Sequence, residues 1–280
     1  MEQCEIPGGG VEPGGTALPS ADTWNYCTGG LTGSSDADGD QLRDECEYHL
    51  AYAFRPMLAM NASDDAPDNE PYFSVTRQAP TASNPATVRL FYALSYFRDP
   101  GDPFFAFQAH DGDSEFTILE VHNTIDATWV LDYAFLSAHW NTGSADNSAR
   151  YHHHDIEYPS ESRGRPRIWV SWNKHANYRS KAVCNDMWND VCDNGATSNM
   201  YRDVVIVPDA NLGNYFAFDP PRSASQLRNC VPSRNRLWNG LYGTECFWTA
   251  TEQSGFTGWH GNAGQAVAGP YALSLSSYAF

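Results

Sequence analysis

ATVRLFYALSYF at 86–97, SEFTILEVHNTI at 114–125 and TWVLDYAFLSAHW at 128–140 decide the fold. Each run is rich in aromatic and β-branched residues and is bounded by turn formers, the pattern of strands in an antiparallel sheet. RIWVSW (167–172) and DVVIVP (203–208) continue the pattern. Gly 22 and Pro 17 in 280 residues favour many turns, and 14% aromatic side chains suit packed pleated surfaces. No helix-length apolar periodicity follows residue 56, and no internal repeat is present. The expected fold is mainly β: a two-sheet antiparallel β-sandwich, opened by an N-terminal calcium loop plus helix and joined by long loops.

Upstream of these runs the character differs. Residues 1–35, with PGGGVEPGGT and TGGLTGSS, read as a Gly/Pro-rich N-terminal arm, and 36–280 as a single β-sandwich domain. DADGDQLRDECEYHLAYAF (36–54) begins with alternating aspartates and continues with Leu42, Cys46, Leu50 and Phe54. That spacing is one face of a helix, stopped before Pro56. Residues 60–86 read as loop.

With 41% hydrophobic and 18% charged residues the chain can bury a core. Acidic residues outnumber basic ones 34 to 17, a net charge of −17, which argues against nonspecific nucleic-acid binding and suits a secreted protein or a binder of cations. No apolar window of about 20 residues exists, so no integral membrane helix is expected. Seven cysteines without a zinc-type CxxC pair fit an oxidising compartment, hence an extracellular protein. MEQCEIPGGG does not read as a secretory leader, so secretion is inferred from the cysteines. Cys184–Cys192 and Cys230–Cys246 are spaced for bridges. Cys4, Cys27 and Cys46 remain, one of them unpaired if all pairing is intramolecular; a Cys4–Cys27 bridge would tie down the arm.

Four segments carry candidate chemistry. In the first, Asp36, Asp38, Asp40 and Asp44 stand at positions 1, 3, 5 and 9 of a loop, Glu47 at 12, and Leu42 offers a carbonyl at 7. A hard cation wants six to eight oxygens, and this spacing wraps them around one Ca2+ ion in a structural role. Gln41 stands where such loops carry glycine. In the second, His110-Asp-Gly-Asp113-Ser-Glu115 opens a strand. Asp113 and Glu115 are two apart and share a strand face, and His110, before a glycine turn, can fold back beside them. Together they make a mixed N/O site for a second divalent cation, Ca2+, Mg2+ or Zn2+, to which Asp99 or Asp102 can add oxygen. In the third, Asn173-Lys174-His175-Ala-Asn-Tyr178 follows a strand: His175 is a candidate ligand or acid/base, and Lys174 can hold an anion. The fourth is His152-His153-His154-Asp155-Ile-Glu157; continued as a strand, it would put His153, Asp155 and Glu157 on one face. His122 and His139 are weaker candidates.

These pieces together resemble a known family. His110, Asp113 and Glu115 resemble the GHRHDWE heptad of the necrosis- and ethylene-inducing cytolysins. The form GDSE occurs in the related vacuolar-protein-sorting-62-type family and its secreted bacterial relatives. Asn173–Tyr178 with Cys184 and Cys192, the segment 36–56, and FTGWHG (Phe256–Gly261) also look like the bacterial relatives. The resemblance implies a β-sandwich and a divalent cation held by His110, Asp113 and Glu115, with Asp102 or Asp99 matching an upstream aspartate. Cytolysins use that site to bind a sphingolipid headgroup. Here Ser114 stands in place of their tryptophan and Gly112 in place of their second histidine.

The functional expectation is a secreted, divalent-cation-dependent protein. It binds a phosphate, lipid or sugar headgroup in a pocket built by HDGDSE and NKHANY, with hydrolysis as a further capacity. The alternatives are a metal-dependent hydrolase of phosphoryl or acyl esters, with His175 as acid/base and Lys174 steadying the oxyanion, and a cytolysin-like membrane-headgroup binder.

Overall fold

The long aromatic runs form one meander. The computed structural model describes residues 23–37, 39–64, 72–78, 86–99, 110–124, 129–136, 138, 150–158, 165–187, 190–192, 199–206 and 211; at 72, 93, 95, 97–99, 110–114, 150, 199 and 200 it describes the backbone alone. Cys4, Asp38, Asp102, His139, Cys230, Cys246 and Phe256–Gly261 lie outside the described residues.

Strands β2 (Tyr72–Arg77), β3 (Thr87–Asp99), β4 (His110–Asn123), β5 (Trp129–Leu136) and β6 (Arg150–His152) follow one another in space as in sequence, antiparallel throughout. The segment 60–86, read as loop, contains β2, whose alternation YFSVTR is short. A four-stranded sheet has the order β8-β7-β1-β9, with β1 at Met57–Asn61, β7 at Arg167–Val170, β8 at Asn177–Tyr178 and β9 at Asn199–Asp203. Here the expectation of wholly antiparallel sheets is corrected. β1 and β7 run parallel, Met57 opposite Arg167 and Ala59 opposite Trp169. Their connection is long enough to permit it, because it contains the entire five-stranded meander. Of the run 203–208, described through residue 206, Asp203 alone lies in a strand; the pairing residues lie earlier, at 199–203.

Alternation sorts the small sheet's side chains between two clusters. Leu58, Met60, Ile168 and Val170 join one core with Val75, Leu90, Tyr92, Leu94, Ile118 and Leu131 of the large sheet. Ala59, Trp169 and Tyr178 pack on the opposite side against Cys184 and Cys192. β1 is buried along its whole length, as a central strand covered on both faces must be.

Helix α2 (Asp44–Phe54) follows the predicted stripe: Cys46, Leu50 and Phe54 are buried, while Asp44, Glu45 and Glu47 place negative charge at its N-terminus. Burying Leu50 and Phe54 stabilises by about 1.5–3 kcal/mol each. The helix ends at Phe54 because the residue before Pro56 is biased away from helical backbone. The Ala51 carbonyl accepts from the Tyr92 hydroxyl at 2.8 Å, fastening the helix to the large sheet.

Two disulfides are present among the described residues. Cys184–Cys192 is the local bridge expected. Cys27 pairs with Cys46, not with Cys4. The short helix α1 (Trp24–Thr28) puts Cys27 directly over the first turn of α2, where Arg43 N–H donates to the Cys27 carbonyl at 2.8 Å. The described end of the Gly/Pro-rich arm is thereby part of the core. No helix among the described residues is long and apolar enough to cross a membrane.

Candidate functional site

The NKHANY segment is the connection of the β7–β8 hairpin. Ser171 and Ala176 close it, with Ser171 N–H donating to the Ala176 carbonyl and His175 N–H to the Ser171 carbonyl, both at 3.0 Å. Asn173 (φ 68°) and His175 (φ 58°) both take the left-handed conformation. Asparagine tolerates this readily. For histidine it costs on the order of 1–3 kcal/mol and persists because the surroundings over-determine it.

Those surroundings are polar and buried. Asp64 accepts from Asn173 N–H at 3.1 Å through one oxygen, and its other oxygen lies 3.4 Å from His175 Nε2. On the far side the His175 ring stacks on Tyr96, centroids 3.8 Å apart and planes 5° from parallel. The imidazole is fully buried. Lys174 reaches Asp190, Nζ to Oδ1 3.5 Å, and the second oxygen of Asp190 accepts from the Tyr178 hydroxyl. Burial pushes the Tyr178 pKa far up, and the neighbouring carboxylate of Asp190, then that of Glu115, push it further. The bridge positions Asp190: it closes the chain between helix α3 (Lys181–Asp186) and Cys192, and Val191 accepts from Trp172 N–H at 2.8 Å.

The HDGDSE segment lies on β4. Asp113 is the Cα partner of Tyr96, Glu115 that of Leu94 and His110 that of Asp99. Tyr96 therefore joins the two expected segments: its backbone pairs with Asp113, and its ring carries His175. A second tie runs from Asn177 Nδ2 to the Phe116 carbonyl at 3.1 Å. Glu115 is buried, and its charge acts on Tyr178. The glycine turn expected after His110 is not formed. Gly112 lies inside β4, and the register runs without a shift from His110 to Glu120. Asp113 and Glu115 share one phase of the strand alternation, and His110 has the other.

The acidic loop is held by its own backbone. Asp36 accepts from Gly39 N–H at 2.9 Å, Asp40 from Leu42 N–H at 2.7 Å and Asp44 from Ala37 N–H at 3.0 Å. Gln41 has φ 73°, so the chain makes at position 6 the left-handed turn for which such loops use glycine. Asp40 and Glu47 are buried; Glu47 also accepts from Asn211 Nδ2 at 2.5 Å. The carboxylates of Asp36, Asp40, Asp44 and Glu47 and the Leu42 carbonyl are oxygens of the type a hard cation takes, but among the described residues only the histidines at 152–154 are gathered at ligand spacing.

The histidine run does not continue as a strand. β6 stops at His152, and His153–Asp155 form a 3-10 turn. The ring centroids lie 3.8–4.7 Å apart. Burial lowers the His153 pKa; His154 and His152 lower it further, and Asp132 acts the other way. His122 is separately engaged, Nδ1 2.6 Å from Asp132.

Asp64, Tyr96 and Asp190 escaped the sequence reading. Asp64 sits in the acidic stretch NASDDAPDNE, where nothing marks one aspartate from its neighbours. Asp190 carried a signal, because it lies inside the short loop closed by Cys184 and Cys192. No protein-family model, no curated protein and no solved structure matches the chain.

Proposed function

We propose that the chain is a secreted β-sandwich protein that binds an anionic headgroup, of phosphate, lipid or sugar character, through a divalent cation. The observation that carries this reading is the stack of His175 on Tyr96, the strand partner of Asp113: it draws NKHANY to the carboxylate-bearing start of β4. A chain of net charge −17 repels an anion, and a bridging cation reverses that sign locally. Asp113 and Glu115 would hold the ion, with Asp102 as a further candidate, while the strand phase of His110 and of its partner Asp99 sets those two on the other face; the ion would supply positive charge to the headgroup. The kinship to secreted bacterial relatives of the cytolysins belongs to the same proposal. A calcium ion in the 36–47 loop, held by Asp36, Asp38, Asp40, Leu42, Asp44 and Glu47, would cross-link loop to helix.

The hydrolase reading has one observation in its favour, the His175–Asp64 pair, since a carboxylate beside an imidazole orients a general base. Burial of His175 and the engagement of Lys174 by Asp190 favour binding over turnover. Isothermal titration with phosphocholine and with inorganic phosphate, in calcium and in EDTA, tests the proposal. Binding that needs the cation and is lost in Asp113→Ala and Glu115→Ala supports it. Binding that persists in EDTA, or no binding of either probe in calcium, overturns it. Turnover of p-nitrophenyl phosphate or acetate that vanishes in His175→Gln would establish the hydrolase instead.

A further inference from the structure

His152, His153 and His154 offer ligand nitrogens that all lie within 4.8 Å of one another. Neighbouring side chains point to opposite faces of a strand, and about 120° apart in a 3-10 helix. Neither element alone brings three consecutive imidazoles together. The change from strand to turn between His152 and His153 does so.

The corner is braced from several sides. His152 stands edge-on to the Tyr133 ring at 5.2 Å, and Tyr133 is also its strand partner. Ile156 N–H donates to the His153 carbonyl at 3.2 Å, and Arg167 N–H to the Glu157 carbonyl at 2.8 Å. His153 is buried, and its Nδ1 has no hydrogen-bond partner among the described residues. A buried polar atom left unanswered costs about 1–3 kcal/mol, and a bound ion answers it. His154 is exposed and leaves the cluster open to solvent.

We propose that His152, His153 and His154 form a binding site for one zinc ion. Imidazole suits zinc and its first-row neighbours, whereas Ca2+ and Mg2+ prefer oxygen. Three imidazoles with a fourth position open to water or a ligand are a recurrent zinc arrangement. Nitrogens bound to zinc lie about 3.3 Å apart at ordinary bond lengths, so modest ring rotations close the present spread. The site shares no residue with the headgroup pocket or with the acidic loop.

The test uses the full chain, stripped with EDTA, dialysed, and held in excess Ca2+ so that oxygen sites are filled. Zinc is added by isothermal titration, and cobalt binding is followed by visible absorption. One zinc per chain is expected, together with the visible bands of tetrahedral cobalt. His154→Ala, an exposed change that should leave the zinc-free melting temperature unaltered, should weaken zinc by more than the roughly 10–100-fold that loss of an outer-shell partner costs. His152→Gln should do the same, and His110→Ala should not. The proposal is overturned if the wild-type chain binds no zinc, if both cluster variants bind it as tightly as wild type, or if His110→Ala abolishes binding.

Discussion

Two regions of this molecule are each built from a disulfide and a group of carboxylates, and they use them in opposite ways. In the N-terminal region, Cys27–Cys46 anchors a loop whose aspartates are answered by backbone amides at Gly39, Leu42 and Ala37. In the β7–β8 region, Cys184–Cys192 presents Asp190 to a lysine and a phenol, while Asp64 faces an imidazole. The first pattern is mostly local: the aspartates take their amides from within seven residues, while Glu47 reaches far, to Asn211. The second is assembled from chain segments more than a hundred residues apart, Asp64 with Asn173 being one such contact. Backbone-answered carboxylates keep lone pairs for an incoming ion. Side-chain-answered, buried carboxylates already have their partners, and they hold a loop in a conformation it would not choose.

The sharpest way to break this contrast is to remove Asp190. Asp190→Ala strands Lys174 and the Tyr178 hydroxyl in a dry site, and breaking one partner of a buried pair costs about 3–5 kcal/mol. Denaturant melts should register that loss; a change below about 1 kcal/mol would mean that the pair is effectively solvated. The disulfides come next. Closing the longer Cys27–Cys46 loop is worth about 3.3 kcal/mol and the shorter Cys184–Cys192 loop about 2.6 kcal/mol by chain entropy. Paired Cys→Ala variants melted in parallel should show that order, and the reverse order would locate the more strained region at the N-terminus.

Calcium distinguishes the two regions directly. At a hundredfold excess over its dissociation constant, an ion that binds only the folded chain adds about 2.7 kcal/mol. The melting temperature of wild type should rise with calcium, and that of Asp40→Ala should rise much less. An unchanged wild-type melt would remove the structural ion. The smallest effect is expected at Gln41. Gln41→Gly relieves a left-handed residue but adds unfolded-state freedom, for a net gain of about 0.5–1 kcal/mol. A loss there would show that the contact of Gln41 with Arg77, at 3.2 Å, outweighs the backbone term.

The same contrast explains what could be read in advance. Helix α2 was legible because Cys46, Leu50 and Phe54 repeat at its period, although Leu42, read on the same stripe, lies just ahead of the helix, and β3, β4 and β5 because their runs are long and aromatic. The spacing of the acidic loop was visible because its partners are near in sequence. The parallel pairing of β1 with β7 was not visible: a buried central strand shows no alternation, and nothing in MLAMN names a partner far downstream. The Cys27–Cys46 bridge was misjudged because spacing alone does not choose among three cysteines, and the choice is made by α1 lying across α2. His175 stood out in the sequence as part of a Lys-His pair at a strand end, but its stack on Tyr96 depends on two strands meeting, which no local pattern encodes.

The central position of β1 sets the order in which the chain can fold. β1 emerges early in synthesis, yet both of its neighbours, β7 and β9, are made over a hundred residues later. The whole β2–β6 meander is synthesised in the interval and can pair strand by strand as it appears, because each strand needs only the one before it. Until Arg167–Val170 arrives, MLAMN is an apolar strand with both edges open, the kind of segment that associates with other chains. Truncation before residue 167 should therefore yield a chain with a formed meander and a strong tendency to aggregate. Late capture of β1 by the strands that complete the small sheet is therefore the expected slow step, to be read as a phase that β1 and β7 core variants alter and meander variants do not.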